Sequence, residues 1–146
     1  MANDTVDTLN SFLRGEISAV ETYRQALEKL RDTADARTLN ECLRSHEQRV
    51  GLLSNEIQRR GGKPAQGSGP WGAFAKLLEG SAKLFGVKAA VAALEEGEDH
   101  GRDDYKRDVE KLDPPGREFV QQQLLPEQLR THQALSSLKK SLEARA

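Results

Sequence analysis

The sequence predicts an all-α protein, a four-helix bundle built from two copies of a helical hairpin. Three observations predict it. Residues 13–30, LRGEISAVETYRQALEKL, are nearly repeated by residues 95–112, EEGEDHGRDDYKRDVEKL. Gly15-Glu16, Tyr23 and Glu28-Lys29-Leu30 fall on Gly97-Glu98, Tyr105 and Glu110-Lys111-Leu112 at an offset of 82 residues. A second echo sets Leu43-Arg44-Ser45-His46 against Leu129-Arg130-Thr131-His132, at an offset of 86. Apolar residues also recur at spacings of three and four through four long segments, the mark of amphipathic helices. Finally, 36% hydrophobic and 31% charged residues with only 5% aromatic ones give little support to a sheet.

The first helix is expected over about 5–30, capped by Asp4 or Thr5. Its stripe is Val6, Leu9, Leu13, Glu16, Val20, Tyr23, Leu27 and Leu30, and Glu16 stands where the rhythm asks for an apolar residue. Thr33 or Asp35 is the expected cap of a second helix over about 36–60. Its stripe is Leu39, Leu43, His46, Val50, Leu53 and Ile57, with His46 the polar exception. Gly61-Gly62 ends that helix and Pro64 prevents it from resuming. Residues 61–70, GGKPAQGSGP, then divide the two repeats. Trp71, Phe74, Leu77 and Leu78 suggest a short amphipathic helix broken around Gly80, part of a crossover over about 61–84 that lets helices two and three run parallel.

The third helix is expected over about 85–112, with Val91, Glu95, Glu98, Arg102, Tyr105, Val109 and Leu112 as its stripe. Asp113-Pro114-Pro115 makes a capped turn. The fourth helix, about 116–144, faces inward through Phe119, Leu125, Leu129, His132, Leu135, Leu138 and Leu142. Pro126 should kink or split it, because proline leaves the Gln122 carbonyl without its helical donor. The whole chain, 1–146, fits one domain, hairpin one about 5–60 and hairpin two about 85–144.

Lys+Arg 22 against Asp+Glu 23 gives a net charge of −1, so no global field favours nucleic acid or an anionic membrane, and neither partner is expected. A homodimer or higher homo-oligomer stays open. Cys42 alone makes no internal disulfide, and no apolar run is long enough for a membrane span, so a cytoplasmic protein is the expectation.

The polar intruders on the stripes are Glu16, His46, Glu98 and His132, with Glu95 one turn before Glu98. Two readings follow. Glutamates and histidines converging in a bundle are the ligands of carboxylate-bridged metal sites, suited to iron or manganese, with zinc as a surrogate. Alternatively, Glu–His and Glu–Arg pairs, Arg102 among them, satisfy one another, and Tyr23 and Tyr105 donate to the carboxylates without any ion. Gly15 and Gly97, beside the glutamates, suggest close helix approach or local unwinding. His100 lies off the stripe, and Cys42 lacks an activating neighbour.

VDTLNSFLRGE with ETYRQALEKL, RRGGKP, LEEGED with DDYKRDVEKL, and LRTHQAL together resemble the ferritin-like superfamily. Within it the chain is similar to a bacterial four-helix-bundle family of the domain-of-unknown-function 2383 type. The resemblance covers nearly the whole chain and implies a di-iron or di-manganese centre, with a Glu from each of two helices and Glu-x-x-His from each of the others. By position, Glu16 and Glu98 match the single glutamates and His46 and His132 the histidines. The remaining two glutamates would fall on Leu43 and Leu129, so a complete ferroxidase set is missing. Separations of 30 residues from Glu16 to His46 and 34 from Glu98 to His132 differ by about one helical turn.

The leading expectation is a cytoplasmic metal-binding or redox/stress-associated protein with Glu16, His46, Glu95, Glu98 and His132 as ligands. Any enzyme activity would be an iron- or manganese-dependent oxidoreduction. The competing expectation is a non-catalytic structural or interaction bundle whose buried polar residues fix helix register and hold no metal.

Overall fold

The computed structural model describes residues 2–68 and 72–145, with side chains at 4–68 and 86–145. The described chain is all-α: α1 (Ala2–Leu30), α2 (Ala36–Arg59), α3 (Gly72–Asp108), a 3₁₀ turn (Val109–Lys111), α4 (Pro114–Phe119), a π turn (Val120–Leu124) and α5 (Leu125–Arg145). Because α4, the π turn and α5 follow one another without a gap, four arms result, packed chiefly as α1 on α2, α1 on α3 and α3 on α5.

Side-chain pairings give the directions. Asn10 lies beside Lys63 and Glu16 beside His46, so α1 and α2 are antiparallel. The Phe12 and Tyr105 rings pack tilted with centroids 4.7 Å apart and Tyr23 reaches Glu98, so α1 and α3 are antiparallel too. Gln128 meets Glu98 while Lys139 meets Glu95, which sets α5 against α3. Helices α2 and α3 therefore run parallel, as the crossover requires. The linker travels along α1: the Asn10 side chain holds the Lys63 carbonyl and the Ala65 N–H, and Ser68 donates to Glu21.

Local chemistry sets the ends. Gly61 adopts φ 79°, and the Gly62 N–H closes on the Ile57 carbonyl at 2.9 Å, which stops α2. Asp113 caps α4 by accepting the Gly116 N–H at 2.8 Å, and its carboxylate grips Arg60 at 2.7 and 3.1 Å. Three expectations are corrected here. Helix α1 begins at Ala2, so Thr5 is a buried helical residue that accepts the Asp113 N–H. Asp35 precedes α2 without a side-chain capping bond and instead receives Arg145. The break expected around Gly80 lies at Gly86, with φ 80° and ψ −159°; Trp71 and the side chains of Phe74, Leu77 and Leu78 lie outside the described residues.

The predicted split at Pro126 takes the form of the π turn. The Leu125 N–H bonds to Val120 five residues back, and the wider turn gives the Pro126 ring room one residue on.

Two apolar compartments form the core. Tyr23, Leu30, Leu39, Leu94 and Leu135 belong to one, and Leu9, Leu13, Leu53, Ile57 and Leu124 to the other. Between them lies a buried polar layer: Glu16, His46, Arg49, Glu98, Gln128 and Thr131.

Candidate functional site

Each arm contributes to this layer. On α2 the inward face is Leu39, Cys42, His46, Arg49, Leu53 and Ile57, while Leu43 and Val50 are only partly buried. The face therefore turns one residue away from the predicted stripe at alternate steps, and that puts Arg49 in the core. On α5 the buried residues are Gln128, Thr131, Leu135 and Leu138, whereas Leu129 is 41% exposed.

His46 is the hub. Its Nδ1 lies 2.7 Å from Glu16 Oε2 and its Nε2 lies 2.7 Å from Glu98 Oε2. Two carboxylate oxygens accept, so both ring nitrogens must donate, and only the imidazolium can do that. The tyrosines cross between the halves: Tyr23 donates to Glu98 at 2.6 Å and Tyr105 to Glu16 at 3.1 Å. Glu98 Oε1 further accepts from Gln128 at 2.9 Å and Thr131 at 2.8 Å. Arg49 sends Nη1 to Glu16 Oε1 at 3.4 Å and to the Gln128 side-chain Oε1, and Nη2 to Ser45 Oγ at 3.1 Å and Thr131 Oγ1 at 3.0 Å.

The charges balance: two carboxylates face one imidazolium and one guanidinium. Burial opposes every one of these charges, and in each case the opposite charges outweigh it. The Glu16 carboxyl is held below its usual range by Arg49 and His46, and Glu98 is brought down to about 2 chiefly by His46. His46 is held above its ordinary value by Glu16 and Glu98. Burial and the neighbouring carboxylates push both phenols well up, so Tyr23 and Tyr105 stay protonated donors. Cys42 is buried and its thiol is pushed up to about 12 by burial and Glu98, which removes it as a nucleophile.

Of the five ligand candidates, Glu16, His46 and Glu98 come together. The other two do not join them. Glu95 pairs with Lys139 at 3.2 Å, and the partly buried His132 lies against Asp99 and Arg102. Arg102, expected to serve Glu98, turns instead to Asp103 and His132. The reason is register. Glu16–Glu98, Tyr23–Tyr105, His46–Gln128 and Arg49–Thr131 are all related by 82 residues, and their bonds map onto one another: His46 on Glu16 becomes Gln128 on Glu98, and Arg49 on Glu16 becomes Thr131 on Glu98. The echo at 86 is one turn out of this register, so His132 lies one turn past the structural counterpart of His46.

The sequence reading missed Arg49, Gln128 and Thr131. Carrying the offset of 82 onward from His46 would have found Gln128. Its place also explains Gly101, where a Cβ would lie 2.8 Å from the Gln128 side-chain nitrogen.

A cavity of about 60 Å³ between α1 and α3 reaches Glu16, His46 and Glu98, with Gly15 and Gly97 in its lining. Both glycines lie within continuous helix, so the unwinding considered for them does not occur.

The chain matches the family described as Domain of unknown function (DUF2383) over residues 4–111. It belongs to DUF2383. No curated protein and no solved structure matches it. The DUF2383 stretch carries Glu16, Tyr23, His46, Arg49, Glu98 and Tyr105, while Gln128 and Thr131 lie beyond it.

A pair of metal ions fits this centre poorly. Both His46 nitrogens are taken by carboxylates, each glutamate oxygen already accepts, and Arg49 brings a positive charge into the same space. Among the described residues no group of three or more His, Cys, Asp or Glu is arranged to hold a metal ion.

Proposed function

We propose that this DUF2383 chain is a ferritin-like bundle acting as a non-catalytic structural or protein-interaction module, whose polar centre holds the four arms in register. One observation carries the reading: the four buried charges of Glu16, Glu98, His46 and Arg49 cancel and are bonded to one another. Truncating any member strands an opposite charge in the core, and mispairing an arm does the same, so the layer penalises every wrong register. The ferritin-like assignment draws support from the antiparallel hairpins joined by a crossover that leaves α2 and α3 parallel.

A second reading has its own observation. Glu16, His46 and Glu98 come from three arms and meet in one buried layer, and they are the residue types that a mononuclear iron or manganese site in a stress-associated protein would use. Elemental analysis of protein purified without chelator, beside thermal melts with and without EDTA, separates the two. The polar-module reading expects substoichiometric metal and an unchanged melting temperature. Stoichiometric iron, manganese or zinc, with a melting temperature that falls on chelation, would replace it with the metal reading.

A further inference from the structure

We infer that Arg49 is the bundle's built-in cation: its guanidinium fills a cage of oxygens between α1, α2 and α5 and so keeps a metal ion out of the centre. The inference rests on the metal-free reading and identifies a residue that contributes to it. The cage consists of Glu16 Oε1, Gln128 Oε1, Ser45 Oγ, Thr131 Oγ1 and the Ser45 carbonyl, which takes the Arg49 Nε at 3.4 Å. All five donors are oxygens, the set a hard divalent cation prefers. Arg49 itself is 0% exposed, so it has no solvent position to retreat to when a metal ion approaches.

Shape and charge make the guanidinium suited to the place. Its planar fork engages oxygens on three helices at once, which a lysine ammonium does less completely. With Arg49 and the imidazolium of His46 present, the two glutamates are neutralised, and a divalent ion would add two uncompensated charges to a buried site. Without Arg49 the centre carries a net negative charge and a guanidinium-sized space walled by oxygen. Arg49 thus adds its own charge and volume to the occupied His46 nitrogens and the missing glutamates that already disfavour a metal here.

The experiment titrates Mn²⁺ into the parent, Arg49→Ala and Arg49→Lys proteins, reading free Mn²⁺ by electron paramagnetic resonance and folding by circular dichroism. Arg49→Ala is expected to bind one Mn²⁺ at least about tenfold more tightly than the parent, with a melting temperature that rises with Mn²⁺. Arg49→Lys is expected to follow the parent, since the charge is kept. If Arg49→Ala is unfolded alone, millimolar Mn²⁺ is expected to restore a cooperative melt. The inference is overturned if folded Arg49→Ala titrates like the parent, if Arg49→Lys gains as much affinity as Arg49→Ala, or if an unfolded Arg49→Ala stays unfolded in Mn²⁺ while Arg49→Lys folds. A parent that itself binds stoichiometric Mn²⁺ sinks the metal-free reading instead, so the two failures are distinguishable.

Discussion

The two halves of the bundle offer a glutamate and a tyrosine from matching positions, but the helix that answers them differs. In the first half α2 supplies His46 and Arg49, both cationic; in the second, α5 supplies Gln128 and Thr131, both neutral. The geometry is nearly symmetric, since each glutamate accepts from the tyrosine of the other half and from its own second helix. The chemistry is not symmetric, because four cations would overfill two carboxylates and four neutral donors would leave both unpaired. One cationic half and one neutral half make the sum zero. A repeated hairpin thus reaches a neutral core by carrying the cations in one copy only.

The strongest way to break this comparison is to truncate the hub in each half. His46→Ala leaves Glu16 and Glu98 buried with only Arg49 between them, and should cost about 3–5 kcal/mol, the range for breaking a buried ion pair. Gln128→Ala removes a neutral donor to Glu98 and should cost about 1.5–3 kcal/mol, as for a hydrogen bond to a charged group. Urea denaturation of the two variants measures the difference. Equal costs would mean that the charge of His46 contributes nothing beyond its hydrogen bonds.

The next effect is a pH limb. The Glu98 carboxyl is lowered from 4.5 to about 2, so its contribution is fully present above pH 4.5 and is lost as pH falls toward 2. The shift corresponds to stability on the order of 3 kcal/mol. His46 works with the opposite sign: its value is raised, so its share is present below its ordinary 6.5 and fades as pH climbs through the folded value. Stability should therefore decline on both sides of a plateau beginning near pH 4.5. Glu98→Gln should make the acid limb shallower without abolishing it, because Glu16 and Glu127 are also held low, and denaturation midpoints measured across pH would show it.

Much of the bundle was legible because its signals are local: the three-and-four rhythm, Gly61 closing α2, Asp113 with two prolines opening α4. The centre was legible only where a charged residue interrupted the rhythm in register, as Glu16, His46 and Glu98 do. Arg49 was lost because Val50, its apolar neighbour, also fits a spacing of four from His46, and arginine is among the residues least expected at 0% exposure. Gln128 and Thr131 were lost for a different reason. The Leu-Arg-Thr-His echo drew attention one turn too far along α5. The π turn before Pro126 also sets the face of that helix in a way no regular period reports.

That register error gives the smallest expected effect and the sharpest check on the assignment of halves. If Gln128 is the counterpart of His46, then His132 is an edge residue whose Nε2 alone meets Asp99 and Arg102. Both partners are substantially exposed, at 43% and 30%, and screening by water leaves such pairs weak. His132→Ala should then shift stability by no more than about 0.5 kcal/mol. Glu95→Gln, which weakens the contact with Lys139, should behave alike. Were His132→Ala to cost as much as His46→Ala in the same denaturation series, the offset of 86 rather than 82 would relate the halves, and α5 would have to present His132, not Gln128, to Glu98.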